Sequence, residues 1–433
     1  MAPRVTFISS RNQQNQIRCT LRATAVSALA LLSGTGVAAA QTAGPIGPGS
    51  FPGSMLIPGS QTSFKIGGYV KLDYDYDFSV ARTAVGGFDV RSIPLPNTAG
   101  HSVHGVSQLT ASESRFNIET RTPSAYGEVK TFIEGDFTNP NGLTNSSTFT
   151  TESNSSGFRL RQAYGTLGPF LAGQTFSTFR DTTAEPEILD IFAQVGVSGP
   201  TRVPQVRYTY DIGDGFSLIA GVENPETLFA SSGGAATNTN FGTGGINRLP
   251  DGVLKFRFEQ GPGHLEIRGA LRQLRFDNTI GINSTAVGWG VGISGHYNTF
   301  GKDQIQATFS YGDGNGRYFA DNGVPDAAIN TTTGAFTSLV SYGGDLSYQH
   351  WWLRNLRTNV TGGFIHVNNE SSVFSGANFA AQNQWFTVER INLLWSPVPM
   401  VDLGPEFIYG YRRSQGDGSQ GFERLMASAK FRF

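Results

Sequence analysis

Cysteine is almost missing from this chain: Cys19 is the only one in 433 residues. Beyond it there are no disulfides and no thiol chemistry. Histidine is scarce as well. His101, His104, His264, His296, His350 and His366 lie near no recognisable nucleophile motif, so no catalytic residues are assigned and no cofactor or metal is called for. Long apolar runs are also absent. No stretch reaches the roughly 20 apolar residues that a spanning helix needs, so a membrane location requires a closed barrel. Nor is there a basic surplus. The formal charge is −1, and it falls to −5 without Arg4, Arg11, Arg18 and Arg22, which argues against nucleic acid as a partner.

Those four arginines open a segment, residues 1–40, with no acid in it. Ala23 to Leu32 is apolar, and Ala38-Ala39-Ala40 supplies small residues. This pattern predicts a cleaved export signal. Residues 41–63 are rich in Gly and Pro and read as a periplasmic linker.

From residue 64 to 433 the chain alternates. Phe64, Ile66, Val70, Leu72, Tyr74 and Tyr76 share one face, and Lys65, Lys71, Asp73, Asp75 and Asp77 share the other. At the far end Leu425, Ala427, Ala429, Phe431 and Phe433 oppose Arg424, Met426, Ser428, Lys430 and Arg432. A period of two is that of a strand, and one apolar face with one wet face suits a membrane barrel. Sixteen strands are predicted, centred near residues 71, 115, 131, 163, 174, 207, 219, 256, 269, 291, 306, 343, 361, 390, 406 and 427.

Long polar connections (79–106, 138–157, 178–202, 224–251, 277–285, 312–335, 369–383, 413–420) alternate with short turns (122–124, 168–169, 213–214, 261–263, 300–302, 353–355, 397–399). The fold class is thus all-β: a transmembrane antiparallel β-barrel with long external loops and short periplasmic turns. Trp289, Trp351, Trp352, Trp385 and Trp395, with Tyr74, Tyr76 and Tyr348, are expected in aromatic girdles at the lipid interfaces.

Charge cannot face lipid cheaply; Arg or Lys at the midplane costs about 2–4 kcal/mol. Arg115, Arg121, Lys130, Arg159, Arg161, Arg207, Arg257, Arg268 and Arg272 are therefore expected on the lumen wall, with Arg180 on the third loop, as pore-lining cations. A guanidinium binds a carboxylate through two parallel hydrogen bonds, so such a wall would pass anions. Equally, each Arg could pair with a neighbouring acid and stiffen the wall. The third loop carries Ile188, Leu189, Ile191 and Phe192, too apolar a run for a solvated loop. It is expected to fold inward and set Glu185, Glu187 and Asp190 opposite the wall arginines at a constriction.

Several segments resemble the DcaP-type trimeric porins of Gram-negative outer membranes. They are Ile57-Pro58-Gly59, Lys65-Ile66-Gly67-Gly68-Tyr69-Val70-Lys71, Ser112-Glu113-Ser114-Arg115-Phe116-Asn117, Phe132-Ile133-Glu134-Gly135-Asp136-Phe137, Leu160-Arg161-Gln162-Ala163-Tyr164-Gly165, Ala172-Gly173-Gln174-Thr175 and Pro204-Gln205-Val206-Arg207. The resemblance implies sixteen strands, a homotrimer, and diffusion that favours anions such as dicarboxylates. It also implies that the terminal Phe433 is read by the barrel-assembly machinery. Where that family often has a helical coiled-coil segment before the barrel, this chain has its Gly/Pro segment. The expected function is passive passage of small hydrophilic, anionic solutes through a barrel surrounded by outer-membrane lipid. A structural or adhesive barrel, or an outer-membrane hydrolase, is the alternative.

Overall fold

The computed structural model describes residues 47–79, 87–96, 98, 100–139, 157–199, 202–231, 247–277, 281–320, 324–330, 332–374 and 376–433. The predicted export signal lies outside the described residues. All of these residues except 58–60 belong to one compact unit, spanning 47–57 and 61–433; the three remaining residues form a turn.

Sixteen antiparallel strands form its wall. They are β1 Ser63–Asp77, β2 (in two pieces, Val106–Thr110 and Arg115–Ser124), β3 Gly127–Asn139, β4 Gly157–Leu167, β5 Phe170–Thr175, β6 Val203–Gly213, β7 Phe216–Glu223 and β8 Asp251–Gln260. There follow β9 Gly263–Asp277, β10 Asn283–Asn298, β11 Gln304–Asp313, β12 Val340–Leu353, β13 Leu356–Val367, β14 Asn383–Val398, β15 Val401–Ser414 and β16 Ser419–Arg432. Each pairs with its neighbour in sequence, and β16 pairs with β1 from Tyr69↔Arg432 to Asp77↔Arg424, which closes the barrel. Every predicted centre falls on one of these strands.

Alternation decides the two faces. Along β9, Ile267 and Leu271 are 52% and 63% exposed, whereas Arg268 and Arg272 are 2% and 3%. The outward side is the face that lipid covers in a membrane barrel. Ring contacts trace an outward aromatic band: Trp289 lies 5.8 Å from Tyr311, Tyr342 6.4 Å from Tyr311, and Trp385 5.3 Å from Phe364. Trp351 does not join a girdle. Its indole donates to Gln349, and it lies between Lys302 and Arg357.

Three details differ from the sequence reading. The first short turn is Ala125–Tyr126 rather than 122–124, because Thr122 to Ser124 still pair with β3. The connections expected to be long at 277–285 and 413–420 are tight. Asp277 pairs with Asn283, and Arg413 with Ser419, so the strands run on through polar residues. Finally, the segment 41–63 is folded over its described part: Met55–Leu56 pairs with Phe64 and Ser63.

The lumen is not an open tube. The inward side chains Ile365, Val367, Phe386, Val388, Ile408, Phe422 and Met426 of β13 to β16 are apolar and buried. Covering them are Phe88, Val90 and Ile93 of the first loop, Leu189 and Val195 of the third, Phe319 and Val324 of the sixth, and Val373 and Phe374 of the seventh. Ala327–Ile329 of the sixth loop also joins Phe229–Ser231 and Phe336–Ser338 in a small three-stranded sheet. Loops thus pack one side of the barrel as a hydrophobic core.

Arg272 locks this packing. Its fully buried guanidinium bridges Asp251 at 3.0 Å and Asp326 at 2.6 Å and donates to the Gly314 carbonyl. It was expected to line the pore; β9 aims it inward as read, but the sixth loop covers it. Removing one partner of a buried ion pair leaves the other charge uncompensated, at a cost of about 3–5 kcal/mol. Arg272→Ala should therefore lower the temperature at which the folded barrel band converts to the unfolded band on a detergent gel, while Arg159→Ala should move it far less, because that side chain is 33% exposed and Arg161 still holds Asp136.

Candidate functional site

The third loop, residues 176–202 (L3), runs across the lumen from β5 to β6, and polar anchors hold it along its length. At its start the Asp181 carboxylate accepts from His264 (2.6 Å), Ser294 (2.6 Å) and Thr183 (2.7 Å). Burial alone would raise this acid; the three donors outweigh burial and hold it well below the usual carboxylate range. Lys255 donates to the Arg180 carbonyl at 2.7 Å. Further along, Glu187 makes a two-pronged pair with Arg357 (2.5 and 2.6 Å), and Asp190 pairs with Arg390 at 2.8 Å. The Leu189 N–H donates to Glu406, and its carbonyl accepts from Lys71. Near the far end Ser198 meets Thr308 at 2.7 Å. At Gly196 (φ +94°) the loop touches the wall so closely that a Cβ would lie 2.1 Å from the Gly344 carbonyl oxygen.

Two of the three constriction-loop acids, Glu187 and Asp190, thus meet wall arginines directly. Those arginines are Arg357 and Arg390, which the sequence reading did not single out. Glu185 behaves differently: its ion pair is with Arg180 of its own loop, at 2.5 and 2.8 Å, and among the described residues it pairs with no wall cation.

Between L3 and the wall of β1, β2, β4 and β16 lies a cavity of about 280 Å3. Five basic side chains line it: Arg115, Arg161, Arg180, Arg202 and Lys430. So do three acids, Glu113, Glu185 and Asp190. The acids already have partners. Glu113 binds Lys71 and accepts from the Tyr69 hydroxyl (2.8 Å), Glu185 has Arg180, and Asp190 has Arg390 and the Phe88 N–H. The cations are less fully matched. Arg115 reaches Glu134 and Asp136 only at 3.7 and 3.8 Å, because those carboxylates are held more closely by Arg161 and Arg159. Among the described residues Lys430 has no acid within 4 Å; it lies 4.9 Å from the Tyr69 ring. Tyr69, Phe176, Ile188 and Phe192 complete an apolar lining.

The ten cations read from sequence therefore divide. Arg115, Arg161 and Arg180 reach this cavity. Arg159 is clamped to Asp136 (2.9 and 3.0 Å) and does not. Arg121 and Lys130 pair with Glu119. Arg207 faces the lumen further along the wall, with no acid within 4 Å among the described residues. Arg257 pairs with Glu266 and Glu259. Arg268 is buried under L3, donating to Ser198, Ser294 and Thr308 and stacked 5.3 Å from Phe179. Arg268 and Arg272 are consequently fixings of the loops rather than pore lining. Arg202 and Lys430 were missed. The alternation already placed Lys430 on the wet face; its distance from an acid was not readable.

Asp181, His264 and Glu266 bring ligand-type atoms within 4.8 Å of one another. Each carboxylate is already taken by protein donors, Glu266 by Lys255 (2.8 Å) and Arg257 (2.6 Å). A divalent ion there would stand beside two fixed cations, so the group reads as the knot that ties L3 to β9 and β10.

A family model described as DcaP outer membrane protein matches residues 53–433. Among solved structures, the outer membrane channel DcaP of Acinetobacter baumannii aligns with a TM-score of 0.72 at 24% identity, over 86% of this chain and 97% of that one. An anion-selective porin from Comamonas acidovorans aligns at 0.54 with 12% identity, over 86% and 100%. OmpF of Salmonella typhi, in complex with daunomycin, aligns at 0.52 with 9% identity, over 86% and 98%. At these identities the likeness is one of fold. No curated protein sequence matches.

If L3 narrows the passage, deleting residues 184–192 should raise single-channel conductance in planar bilayers. A folded variant with unchanged conductance would place L3 outside the conducting path.

Proposed function

The chain belongs to the DcaP outer membrane protein family and is an outer-membrane porin; from that premise we propose that it passes small hydrophilic solutes passively and favours anions such as carboxylates. One observation carries the preference: the cavity beside L3 holds five cations, while all three of its carboxylates are already engaged by cations or hydrogen-bond donors. Selectivity follows the charges at the narrowest region, because loop charges further away are screened within about 8–10 Å at physiological salt. A formal charge of −5 on the exported chain is therefore compatible with an anion path. Guanidiniums at Arg115 and Arg161 suit a carboxylate, and the apolar lining beside them accepts the carbon skeleton.

The same reading makes the protein a homotrimer, exported by residues 1–40 and delivered to the assembly machinery through Phe433. Strand length supports the self-association. β5 has six residues and β7 eight. At about 3.3 Å per residue and a tilt near 45°, six residues rise only about 14 Å, short of the roughly 25 Å apolar band that a barrel shows to lipid. Around the short β5, outward Phe158 and Leu160 of β4, Phe170 of β5, and Val206 and Tyr208 of β6 form an apolar patch that a second copy would cover.

Two measurements bear on the proposal. In a salt gradient the reversal potential should report anion preference, and Arg115→Ala with Arg161→Ala should reduce the anion-to-cation permeability ratio by about twofold or more. Cation preference in the unaltered protein would overturn the reading. Unboiled samples in mild detergent should migrate as a trimer that boiling dissociates. A monomer on the gel that light scattering also finds monomeric would refute the assembly.

A further inference from the structure

The segment read as a linker has a defined place. Residues 47–57 form a tight hairpin: Gly49 N–H donates to the Ser54 carbonyl and Leu56 N–H to the Gly47 carbonyl, each at 2.9 Å. Its second arm, Met55–Leu56, pairs with Phe64 and Ser63. That edge of β1 is otherwise open. β16 pairs with β1 only from Tyr69 onward, and the last main-chain contact of the C-terminal strand is Phe433 N–H to the Gly68 carbonyl. The hairpin thus takes the place of the missing end of β16 at the barrel seam.

Its tip turns over the inward face. Ser50 N–H donates to the Ser63 hydroxyl at 2.9 Å, and Ser63 is an inward, buried side chain. Lys65 donates to the Pro52 carbonyl at 3.3 Å. The Phe51 ring lies 4.4 Å under the Arg121 guanidinium, with 9% of the residue exposed. Lys65 and Arg121 both point inward from β1 and β2 near the short-turn end. The hairpin itself carries no charged residue. It therefore lies against the inward face of β1 and β2, at the end of the lumen opposite the long loops, and touches both of these wall cations.

We propose that residues 47–57 form a second neck at the periplasmic end, in series with L3, and that this neck narrows the exit and covers Lys65. Orientation rests on the porin reading above. The role of the hairpin follows from its contacts with inward side chains of the wall, and a purely seam-closing role would leave permeation untouched.

The test compares the unaltered protein, Phe51→Ala, Phe51→Tyr and a deletion of residues 48–55, as folded, heat-modifiable oligomers in planar bilayers with potassium chloride. Phe51→Ala and the deletion should each raise conductance by at least about 1.3-fold, since both widen the exit, and the deletion should also shift the reversal potential further toward anions, since it uncovers Lys65. Phe51→Tyr, which keeps the ring, should behave as the unaltered protein. Unchanged conductance in Phe51→Ala would overturn the neck, whether or not the deletion folds. A shift toward cations in the deletion would overturn the covering of Lys65. An unaltered protein that does not conduct at all would instead refute the porin reading, so the two failures are distinguishable.

Discussion

Lipid on one side of every strand forces the chain's charge to the other side, and the rest of the structure depends on how the lumen receives it. Sixteen strands bring many ionised side chains into a confined interior, where an unpaired charge is costly. The loops answer that constraint. L3 brings Glu187 to Arg357 and Asp190 to Arg390, while its main chain accepts from Lys71 and Lys255. These anchors sit on β1, β8, β13 and β14, so the loop is tied to opposite parts of the wall and cannot swing out without breaking several at once.

The cost of burial falls unevenly, and that unevenness creates the path. On the β13 to β16 side, apolar wall residues and apolar loop residues fill the lumen as they would the core of a soluble protein. On the β1, β2 and β4 side, charged side chains prevent such packing, and the cavity remains. Its cations share a limited set of carboxylates. Arg115, Arg159 and Arg161 compete for Glu134 and Asp136, and the shorter contacts of Arg159 and Arg161 leave Arg115 with longer ones. At 4 Å an ion pair in a partly hydrated site is worth about 4 kcal/mol in raw Coulomb energy, enough for small differences in distance to decide which cation faces the solute.

Much of this fold was legible. Alternation around Lys71, Arg268 and Arg424 fixed which face each presents, because period two needs no knowledge of neighbours. Two of the loops were read as too long, at 277–285 and 413–420, since polar composition there marks solvent rather than the end of pairing. The candidate site was legible only in part. Arg268 and Arg272 face inward as expected, but which inward residues a loop will cover depends on contacts 54 to 70 positions away in the chain, such as Asp326 and Ser198. Glu187 and Asp190 were recognised as lumen acids; their partners Arg357 and Arg390 lie about 170 and 200 residues on, and nothing local marks them.

A repeated device explains why loop sequence says so little about loop position. Arg424 donates to the Gly87 carbonyl (2.9 Å), Arg412 to Ile93 (2.6 Å), Arg272 to Gly314 (2.8 Å), Lys255 to Arg180 (2.7 Å) and Lys65 to Pro52 (3.3 Å). Each is an inward wall cation that holds a loop by its backbone. Every residue offers a carbonyl, so the loop need supply no particular side chain at the contact. Three of the five have an acid beside them as well: Arg424 pairs with Asp77, Arg272 with Asp251 and Asp326, and Lys255 with Glu266. The carbonyl takes up a donor that the acid leaves free, so the loop is pinned without a further carboxylate. On the proposed function, the cations left for an anion at the neck are then those that hold no loop, such as Arg115, whose acids lie at 3.7 and 3.8 Å, and Lys430, with no acid within 4 Å among the described residues.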